Sequence, residues 1–469
     1  MNKRQKETRN QGLTRRRFLR GSAVAASCCF VPCSVLGAQR KQGDQSATLP
    51  PSERLNIAGV GLGARGLGNV EKCEGANIVA LCDVDWRTAA MAFKQYPDAA
   101  KYKDFRRMLD KETGIDAVAI STPDHTHAVI AAEAMKRGKH VFVEAPLAHD
   151  VWEVRELARL AGETGVTTQM GNERHSGAGI RRAVEMIWGG GLGAIREVHC
   201  WTNRPQWPQG IGRPEAKSPP HEGLAWDLWL GPASERSYDP AYHPYRWRGW
   251  LDFGTGAMGA MGCHLLDAAF WGLELGGAKS FTVEAESSGT NDETYPEAST
   301  IRYRFPARGD LPPVAITWYD GGRQPSTPDG LPHLREVGSN GSLFLGEEHA
   351  MMFGPTVFGT NPGQIGPRTI PEFAKIENKR TYEKIPQVKE SAWTKGNRHI
   401  QEWISACKAG KQPCAGFEHS APLTEMVLLG NVALMSGEPI EWDSEKLQVT
   451  NVPEANRFIR REYRQGWSL

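Results

Sequence analysis

The sequence contains no apolar run of the roughly 18 to 20 residues that a membrane-spanning helix requires. It also lacks a strong overall charge, since 56 basic and 54 acidic side chains give a formal net charge of +2. With 40% hydrophobic and 23% charged residues, the composition excludes a collagen-like chain and disfavours disorder and coiled coil. The 469 residues therefore predict a globular protein of about three domains, or two if one contains a large sheet.

Cysteine pairs of the kind that bind zinc are also missing. Three of the nine cysteines lie before residue 34, and the other six contain no CxxC pair. A zinc site is therefore disfavoured, and we predict no metal site. Cys407 and Cys414 could form a disulfide, whereas Cys82 and Cys263 occur in apolar or glycine-rich contexts that are typical of packed thiols.

The amino terminus differs sharply in charge from the remainder. Residues 1–20 carry eight Lys and Arg and one acid, and residues 21–38 carry no charge. The sequence TRRRFLR at 14–20, followed by that weakly apolar stretch, resembles a twin-arginine export signal, with a basic disordered tail as the alternative. We predict a signal over residues 1–38, a polar linker over 39–53 and a periplasmic or otherwise exported protein. Lipid anchoring at Cys28 is less favoured.

The remainder of the chain is mildly acidic. The formal net charge of the whole chain is +2 and that of residues 1–20 is +7, so the rest of the chain carries a net charge of −5. Such a body has no electrostatic reason to bind nucleic acid, and we predict no nucleic-acid partner.

Apolar runs alternate with helical segments in the first part of the body. Runs with strand composition occur at 55–60, 78–82, 117–120, 141–143 and 167–170. This alternation predicts a Rossmann domain over residues 54–172, with a doubly wound parallel sheet. The class of the protein is therefore α/β.

The sequence pattern of residues 173–469 differs from that of the first part and predicts a second domain. Segments with strand-like alternation occur at 195–201, 281–286, 299–305 and 314–319, as in an open sheet with one solvated face. Helices are predicted at 399–409 and 422–434 and a last strand at 447–452, whereas 320–395 is weakly patterned.

The segment GLGARG at 61–66 fits the GxGxxG pattern between a predicted strand and a helix-competent stretch. In that context Gly61, Gly63 and Gly66 permit a tight turn and a close approach of the backbone to a pyrophosphate. Asp83, at the end of the second strand, can accept hydrogen bonds from both ribose hydroxyls and repel a 2′-phosphate. NAD is therefore predicted as the cofactor. A glycine-rich surface turn is the alternative, and Arg87 keeps NADP as a less favoured cofactor.

Several further motifs resemble those of the Gfo/Idh/MocA oxidoreductase family, and especially its exported bacterial branch. They are CDVD at 82–85, STPDHTH at 121–127, EAP at 144–146, MGN at 170–172, WDLWLGP at 226–232, RWRGW at 246–250, GCHLLD at 262–267 and RREYR at 460–464. The resemblance implies a Rossmann domain followed by an α/β domain with a large, mostly antiparallel open sheet. It also implies hydride transfer on a carbohydrate or polyol, and a homo-oligomer formed through that sheet.

The chain departs from the family pattern at two positions. The lysine that normally follows the motif glutamate is replaced by Ala145, and the aspartate that normally stands four residues before the active-site histidine is replaced by Ala260. His264 remains as the expected catalytic residue. Oxidation of an alcohol requires a group that takes its proton, and a methyl group cannot do so.

The other site predictions rest on this resemblance and on the aromatic residues of 201–271. The predicted cofactor-binding residues are Gly61, Gly63, Arg65, Gly66, Asp83, Thr122, His125, Glu144 and Asn172. The predicted substrate residues are Tyr245, Trp250, Asp252, His264 and Asp267. Aromatic faces beside charged groups suit sugar rings, although ordinary core aromatics are the alternative. Asp267 could equally be a helix-face acid, and His125 with His127 could form a metal pair only if a third ligand existed.

Three hypotheses remain for the function. The first is an exported NAD-binding sugar or polyol oxidoreductase scaffold whose hydride transfer is impaired by Ala145 and Ala260. The second is an active enzyme with His264 as base, either a dehydrogenase or a redox-neutral, NAD-dependent glycoside-cleaving enzyme. The third is a binding protein that NAD stabilises. We favour the first because the nucleotide fingerprint is intact while the two missing residues are the chemical ones.

Overall fold

The computed structural model describes residues 53–215, 218–326, 339–353, 363–364 and 398–469. The predicted export signal, and the linker up to residue 52, lie outside the described residues. Among the helices that are described, none is both long enough and apolar enough to cross a membrane.

The first sheet is parallel throughout and has six strands in the order β3-β2-β1-β4-β5-β6. Its strands are β1 (Asn56–Val60), β2 (Asn77–Cys82), β3 (Ala100–Tyr102), β4 (Ala117–Ile120), β5 (His140–Val143) and β6 (Thr168–Met170). Every residue of β4 is buried, because helices cover both faces of the sheet. This explains why its central strands are continuous apolar runs.

Five helices connect the strands of the first sheet. They are α1 (Ala64–Glu71), α2 (Ala90–Gln95), α3 (Phe105–Lys111), α4 (Asp124–Lys136) and α5 (Val151–Thr164). Helix α5 shows why such segments fold locally. The Asp150 side chain accepts a hydrogen bond from the Glu153 N–H at its start, and Gly165 ends it in the left-handed conformation.

The second sheet has nine strands in the order β13-β12-β11-β7-β10-β9-β8-β14-β15. Its strands are β7 (Ile195–Trp201), β8 (Ser280–Ser287), β9 (Ser299–Phe305), β10 (Val314–Tyr319), β11 (Gly341–Gly346), β12 (Ala350–Phe353), β13 (Gly363–Gln364), β14 (Ile440–Asp443) and β15 (Gln448–Val449). Among the strand pairs of this sheet that the structure describes, only β7 and β10 run parallel. The predicted fold class, α/β with a parallel Rossmann sheet and a large, mostly antiparallel second sheet, is confirmed.

Six further α-helices occur in the described part of the chain. They are α6 (Ala178–Trp188), α7 (Trp226–Leu230), α8 (Gly256–Leu265), α9 (Asp267–Gly272), α10 (Arg398–Ala409) and α11 (Phe417–Ser436), with 3-10 helices at Glu173–Ser176, Arg246–Gly249, Leu275–Gly277 and Pro453–Phe458. The long helix α11 packs on α5, α8 and β8. It therefore joins the two halves of the main hydrophobic core.

Several local predictions need correction. The carboxy-terminal helix begins at Phe417 rather than at residue 422, so Pro422 lies inside it. The predicted strand at 447–452 is only Gln448–Val449. Strands β11, β12 and β13 occur in the weakly patterned region 320–395, where no strand was predicted. Cys407 and Cys414 are free thiols, as are the other described cysteines, so no disulfide joins them.

Helix α10 completes the core of the first sheet, although it comes from the carboxy-terminal part of the chain. Ile400, Trp403 and Cys407 pack against Ile57 and Phe142 in one buried cluster. Trp403 is fully buried, and its indole nitrogen has no hydrogen-bond partner among the described residues. The hydrophobic cores therefore do not separate at residue 172.

We expect Trp403→Ala to lower the free energy of unfolding by about 3 to 5 kcal/mol, because it leaves a large cavity under the sheet. Trp403→Phe should cost clearly less, because it fills most of the space and removes the unpaired indole N–H. Urea denaturation of the three proteins measures both effects. A loss below about 1 kcal/mol for the alanine variant would show that α10 contributes little to this core.

Candidate functional site

A cavity of about 140 Å³ lies where β1, β2 and β4 end. Gly61, Gly63, Asp83 and Thr122, all predicted to bind the cofactor, line it. This is the crevice at the carboxyl ends of parallel strands in which doubly wound sheets bind nucleotides.

The glycines of the turn have three different roles. Gly61 has a φ of +80°, and a Cβ there would lie 2.8 Å from the Ser121 carbonyl group. A Cβ on Gly66 would lie 1.8 Å from the Gly61 oxygen, so the start of α1 packs directly on the turn. A Cβ on Gly63 would meet no protein atom within 4 Å. Space for a pyrophosphate therefore exists at Gly63, beside the uncapped amino end of α1.

Asp83 joins the second strand to this turn. Its carboxylate accepts hydrogen bonds from the backbone N–H groups of Leu62, at 2.6 Å, and Asp85, at 2.8 Å. Burial raises the pKa of Asp83 to about 6, although these two hydrogen bonds oppose the shift. Each oxygen keeps further lone pairs on the cavity side that can accept ribose hydroxyls.

Glu144, at the end of β5, is held by two side chains of α1. Arg65 Nε lies 2.8 Å and Asn69 Nδ2 lies 2.6 Å from Glu144 Oε1. Arg65 also forms an ion pair of 3.2 Å with Glu173, and the two acids raise the pKa of Arg65 against the effect of burial. Arg65 and Glu144 therefore stabilise the turn and the strand end as a pair.

His264 lies on α8, four residues after Ala260. Burial and the nearby Arg174 lower the pKa of His264 to about 4. A neutral imidazole at neutral pH can accept a proton, but the lowered pKa makes His264 a weak base. Ala145 and Ala260 are partly buried and place methyl groups where the family pattern has a lysine and an aspartate.

The structure corrects the prediction for three side chains. His125 is fully buried, and its ring nitrogens face the carbonyl oxygens of Phe253, at 3.2 Å, and Trp229, at 2.8 Å. Trp250 is fully buried, and its indole donates to a backbone oxygen. Asp267 is also fully buried. We therefore assign these three residues structural roles rather than ligand contacts.

The partners of Asp267 come from three parts of the chain. Its carboxylate accepts hydrogen bonds from Asn172 Nδ2, at 3.0 Å, His175 Nδ1, at 2.9 Å, and His419 Nε2, at 2.8 Å. The two histidines lower the pKa of Asp267 against the effect of burial. His175, Asp267 and His419 are close enough to hold a metal ion, yet their hydrogen bonds account for the cluster without one. Sequence reasoning missed this group.

The other predicted residues differ in exposure. Asn172 is buried and donates to Asp267, while its Oδ1 has no partner among the described residues. Tyr245 is 49% exposed and lies beside Arg248, so it can contact a substrate. Asp252 forms an ion pair with Arg236. His127 cannot join a metal pair, because Pro146 and Thr122 carbonyl oxygens lie 2.9 and 2.8 Å from its two ring nitrogens.

Most aromatic side chains of 201–271 form core rather than a sugar-binding surface. A buried cluster contains Leu224, Trp229, Leu230, Ala233, Tyr242, Trp247, Trp250 and Phe253. Its member Trp229 lines the nucleotide cavity, and so does Trp467 near the end of the chain. The Trp467 ring lies 6.2 Å from that of Phe105 and 4.5 Å from the Arg106 guanidinium. The carboxy-terminal segment is therefore a wall of the cavity, which no sequence pattern indicated.

Comparison with known families agrees with this geometry. The oxidoreductase family model for the NAD-binding Rossmann fold matches residues 54–172, and the model for its C-terminal α/β domain matches residues 195–309. The chain belongs to the Gfo/Idh/MocA oxidoreductase family. Its first domain is accordingly an NAD-binding Rossmann domain, and the residues around Gly63 and Asp83 fit that cofactor.

The matches to individual relatives cover only part of this chain. A glycosyl hydrolase family 109 protein of a Shewanella species is 32% identical over 172 residues, which cover 32% of this chain and 38% of the relative. An alpha-N-acetylgalactosaminidase of Shewanella oneidensis is 34% identical over 124 residues, covering 23% and 27% of the two chains. The matches thus span well under half of the length of these relatives.

A solved structure shares the fold over a longer stretch. The WlbA dehydrogenase from Bordetella pertussis, crystallised with NADH and UDP-GlcNAcA, has a TM-score of 0.57 at 16% sequence identity. The superposition covers 83% of this chain and 99% of the dehydrogenase. At 16% sequence identity, this likeness shows that the two proteins share a fold.

We expect NAD affinity to rise about tenfold between pH 5 and pH 7, because ionised Asp83 is the better acceptor and its pKa is about 6 without ligand. Asp83→Asn should bind NAD more weakly and without this pH dependence. Calorimetric titration of both proteins at several pH values measures the effect. An equally steep profile in the asparagine variant would assign the dependence to another group.

We expect Trp467→Ala to release NAD at least several-fold faster, because it removes a wall of the cavity without touching the glycine turn. Leu469→Ala is the matched control, since Leu469 belongs to the same segment but does not line the cavity. Stopped-flow displacement of NAD by excess competitor gives the rates. Equal rates for the two variants would exclude a role of Trp467 in retention.

Proposed function

We propose that this protein is an exported, NAD-binding sugar or polyol oxidoreductase scaffold whose net hydride transfer is impaired. The observation that carries the proposal is a contrast between two parts of the site. The residues of the nucleotide site are present, whereas two positions that the family pattern uses for proton transfer are alanine. Gly61, Gly63 and Asp83 line the cavity, whereas Ala145 and Ala260 carry no group that could take a proton or stabilise an alkoxide.

The residues that would hold the cofactor have distinct tasks. NAD, when bound, supplies the hydride acceptor. The turn at Gly63 and the amino end of α1 would bind the pyrophosphate, and Asp83 would bind the ribose. Glu144 stays fixed by Arg65 and Asn69. These contacts orient a ligand but move no proton.

His264 is the remaining proton acceptor of the family pattern. It makes no hydrogen bond with any described residue, and its lowered pKa of about 4 keeps it neutral but makes it a weak base. An alcohol loses its proton as the hydride leaves, so a weak base alone supports only slow oxidation. This favours impairment over full activity.

Export is part of the proposal. The TRRRFLR segment and the uncharged stretch after it support the twin-arginine route, which transports folded proteins. A cavity walled by Trp229 and Trp467 would keep a cofactor acquired before export. Association of copies through the second sheet stays a prediction.

A redox-neutral, NAD-dependent glycoside-cleaving activity is the second candidate. It is favoured by the glycosyl hydrolase family 109 relatives, which match about a third of this chain. In that case His264 would act as the base, and NAD would be regenerated within each turnover. A panel of nitrophenyl glycosides tests it directly.

We expect Ala145→Lys with Ala260→Asp to accelerate reduction of bound NAD by about 10² to 10⁴, because it restores both proton-handling groups. The single variants should recover less, with the lysine more effective because a cation also stabilises an alkoxide. Single-turnover absorbance of reduced nicotinamide, against one panel of sugars and polyols, measures all four proteins.

The same experiment contains its control. NAD affinity should change little among the four proteins, because neither substitution touches the turn or Asp83. Rapid reduction by the unaltered chain would contradict impairment and support the active-enzyme hypothesis.

A further inference from the structure

Two side chains that line the nucleotide cavity contain a buried nitrogen without a hydrogen-bond partner among the described residues. They are His243, through its Nδ1, and Trp229, through its Nε1. His243 is 7% exposed and Trp229 is 3% exposed. The two rings pack edge to face with their centres 5.6 Å apart. Because a buried polar atom without a partner is unfavourable, both atoms indicate a ligand group in the adjoining cavity.

Asp85 fixes the position of the proton on the His243 ring. Asp85 is fully buried, and its Oδ2 lies 2.8 Å from Nε2 of His243 and 3.2 Å from Nε2 of His221. Against the effect of burial, hydrogen bonds from His243 and from the Arg87 N–H lower the pKa of Asp85. An ionised carboxylate only accepts hydrogen bonds, so Nε2 of His243 donates to it.

Nδ1 of His243 is therefore a hydrogen-bond acceptor. Burial lowers the pKa of His243, although Asp85 opposes the shift, so the ring carries a single proton at neutral pH. That proton is the one on Nε2, which leaves a lone pair on Nδ1.

Trp229 offers the opposite kind of group, because an indole N–H can only donate. Its ring is stacked on that of Trp226, with the centres 4.6 Å apart, and meets the Phe253 ring edge-on at 4.7 Å. These contacts fix its orientation. The cavity wall therefore presents one acceptor and one donor on two neighbouring, rigidly held rings.

Adenine carries the complementary pair, since its exocyclic amino group lies next to a ring nitrogen that accepts. We propose that His243 and Trp229 recognise the adenine edge of NAD: Nδ1 of His243 accepts from the amino group, and the Trp229 N–H donates to the adjacent ring nitrogen. Asp85 is a positioning residue that acts through His243. The inference rests on the NAD-binding part of the proposed function and does not depend on impaired hydride transfer.

The remaining lining of the cavity suits a planar base. Val84, Phe105, Ile130 and Trp467 contribute apolar surface to it. The ribose hydroxyls of NAD are also donors, but Asp83 can accept both of them. The experiment therefore includes one cofactor analogue changed in the base and one changed in the ribose.

The experiment titrates NAD, nicotinamide hypoxanthine dinucleotide and 2′-deoxy-NAD into the full chain by calorimetry. Hypoxanthine has a carbonyl oxygen in place of the amino group of adenine, so two acceptors would face each other at His243. We expect NAD to bind at least about tenfold more tightly than the hypoxanthine analogue. His243→Phe should reduce this preference to about threefold or less, because it removes the acceptor. Trp229→Phe should weaken NAD binding several-fold, because it removes the donor.

Asp85→Asn tests the role of the carboxylate more sharply. The Arg87 N–H donates to Oδ1 of Asp85 at 2.9 Å, so the amide oxygen of asparagine should take that position. Its NH₂ group then faces Nε2 of His243 and moves the ring proton to Nδ1, which becomes a donor. We expect this variant to bind the hypoxanthine analogue more tightly than NAD. A purely structural role of Asp85 would not reverse the preference.

His221→Phe is the matched control. His221 contacts the same carboxylate oxygen as His243 but does not line the cavity. It should leave the preference for NAD over the hypoxanthine analogue unchanged. Circular dichroism confirms that each variant is folded.

The outcomes separate this inference from the proposed function. Failure to bind NAD contradicts both, whereas equal affinity for NAD and the hypoxanthine analogue contradicts only the adenine assignment. A base preference that survives in His243→Phe overturns the assignment of His243. If His243→Phe instead abolishes a penalty for 2′-deoxy-NAD and keeps the base preference, His243 binds the ribose. Unchanged NAD affinity in Trp229→Phe contradicts the assignment of Trp229.

Discussion

The arrangement of side chains around the nucleotide turn depends on the carboxylate of Glu144. Two side chains of α1, Arg65 and Asn69, hold it, so the end of β5 is fixed to the nucleotide turn. Arg65 also reaches Glu173, which fixes the 3-10 helix that follows β6. Ala145, the next residue, stands where the family pattern has a lysine. The chain therefore lacks that amino group, while the contacts of Glu144 that hold the site together are in place.

Under the proposed function, cofactor binding and proton transfer are separable in this protein for that reason. The nucleotide turn is determined by backbone contacts that only glycine permits at Gly61 and Gly66. Proton transfer depends on single side chains, and those can be lost without any change in fold.

The second half of the chain completes the first in two places. Helix α10 covers one face of the parallel sheet through Trp403, and Trp229 and Trp467 close the nucleotide cavity. A Rossmann domain cut at residue 172 would lack both a part of its core and a wall of its site. Such an enclosure would suit the proposed export of the protein with its cofactor bound.

Sequence alone located five strands of the first sheet, strands β7 to β10 of the second and the nucleotide turn, because apolar runs and period-two alternation specify strands locally. It also located Asp83 and Glu144, since each directly follows a strand. It misassigned Asp267, whose partners Asn172 and His419 lie 95 and 152 residues away. Only the tertiary structure decided which polar groups are mutually satisfied and which face the cleft, because that choice depends on contacts between segments with no local signature.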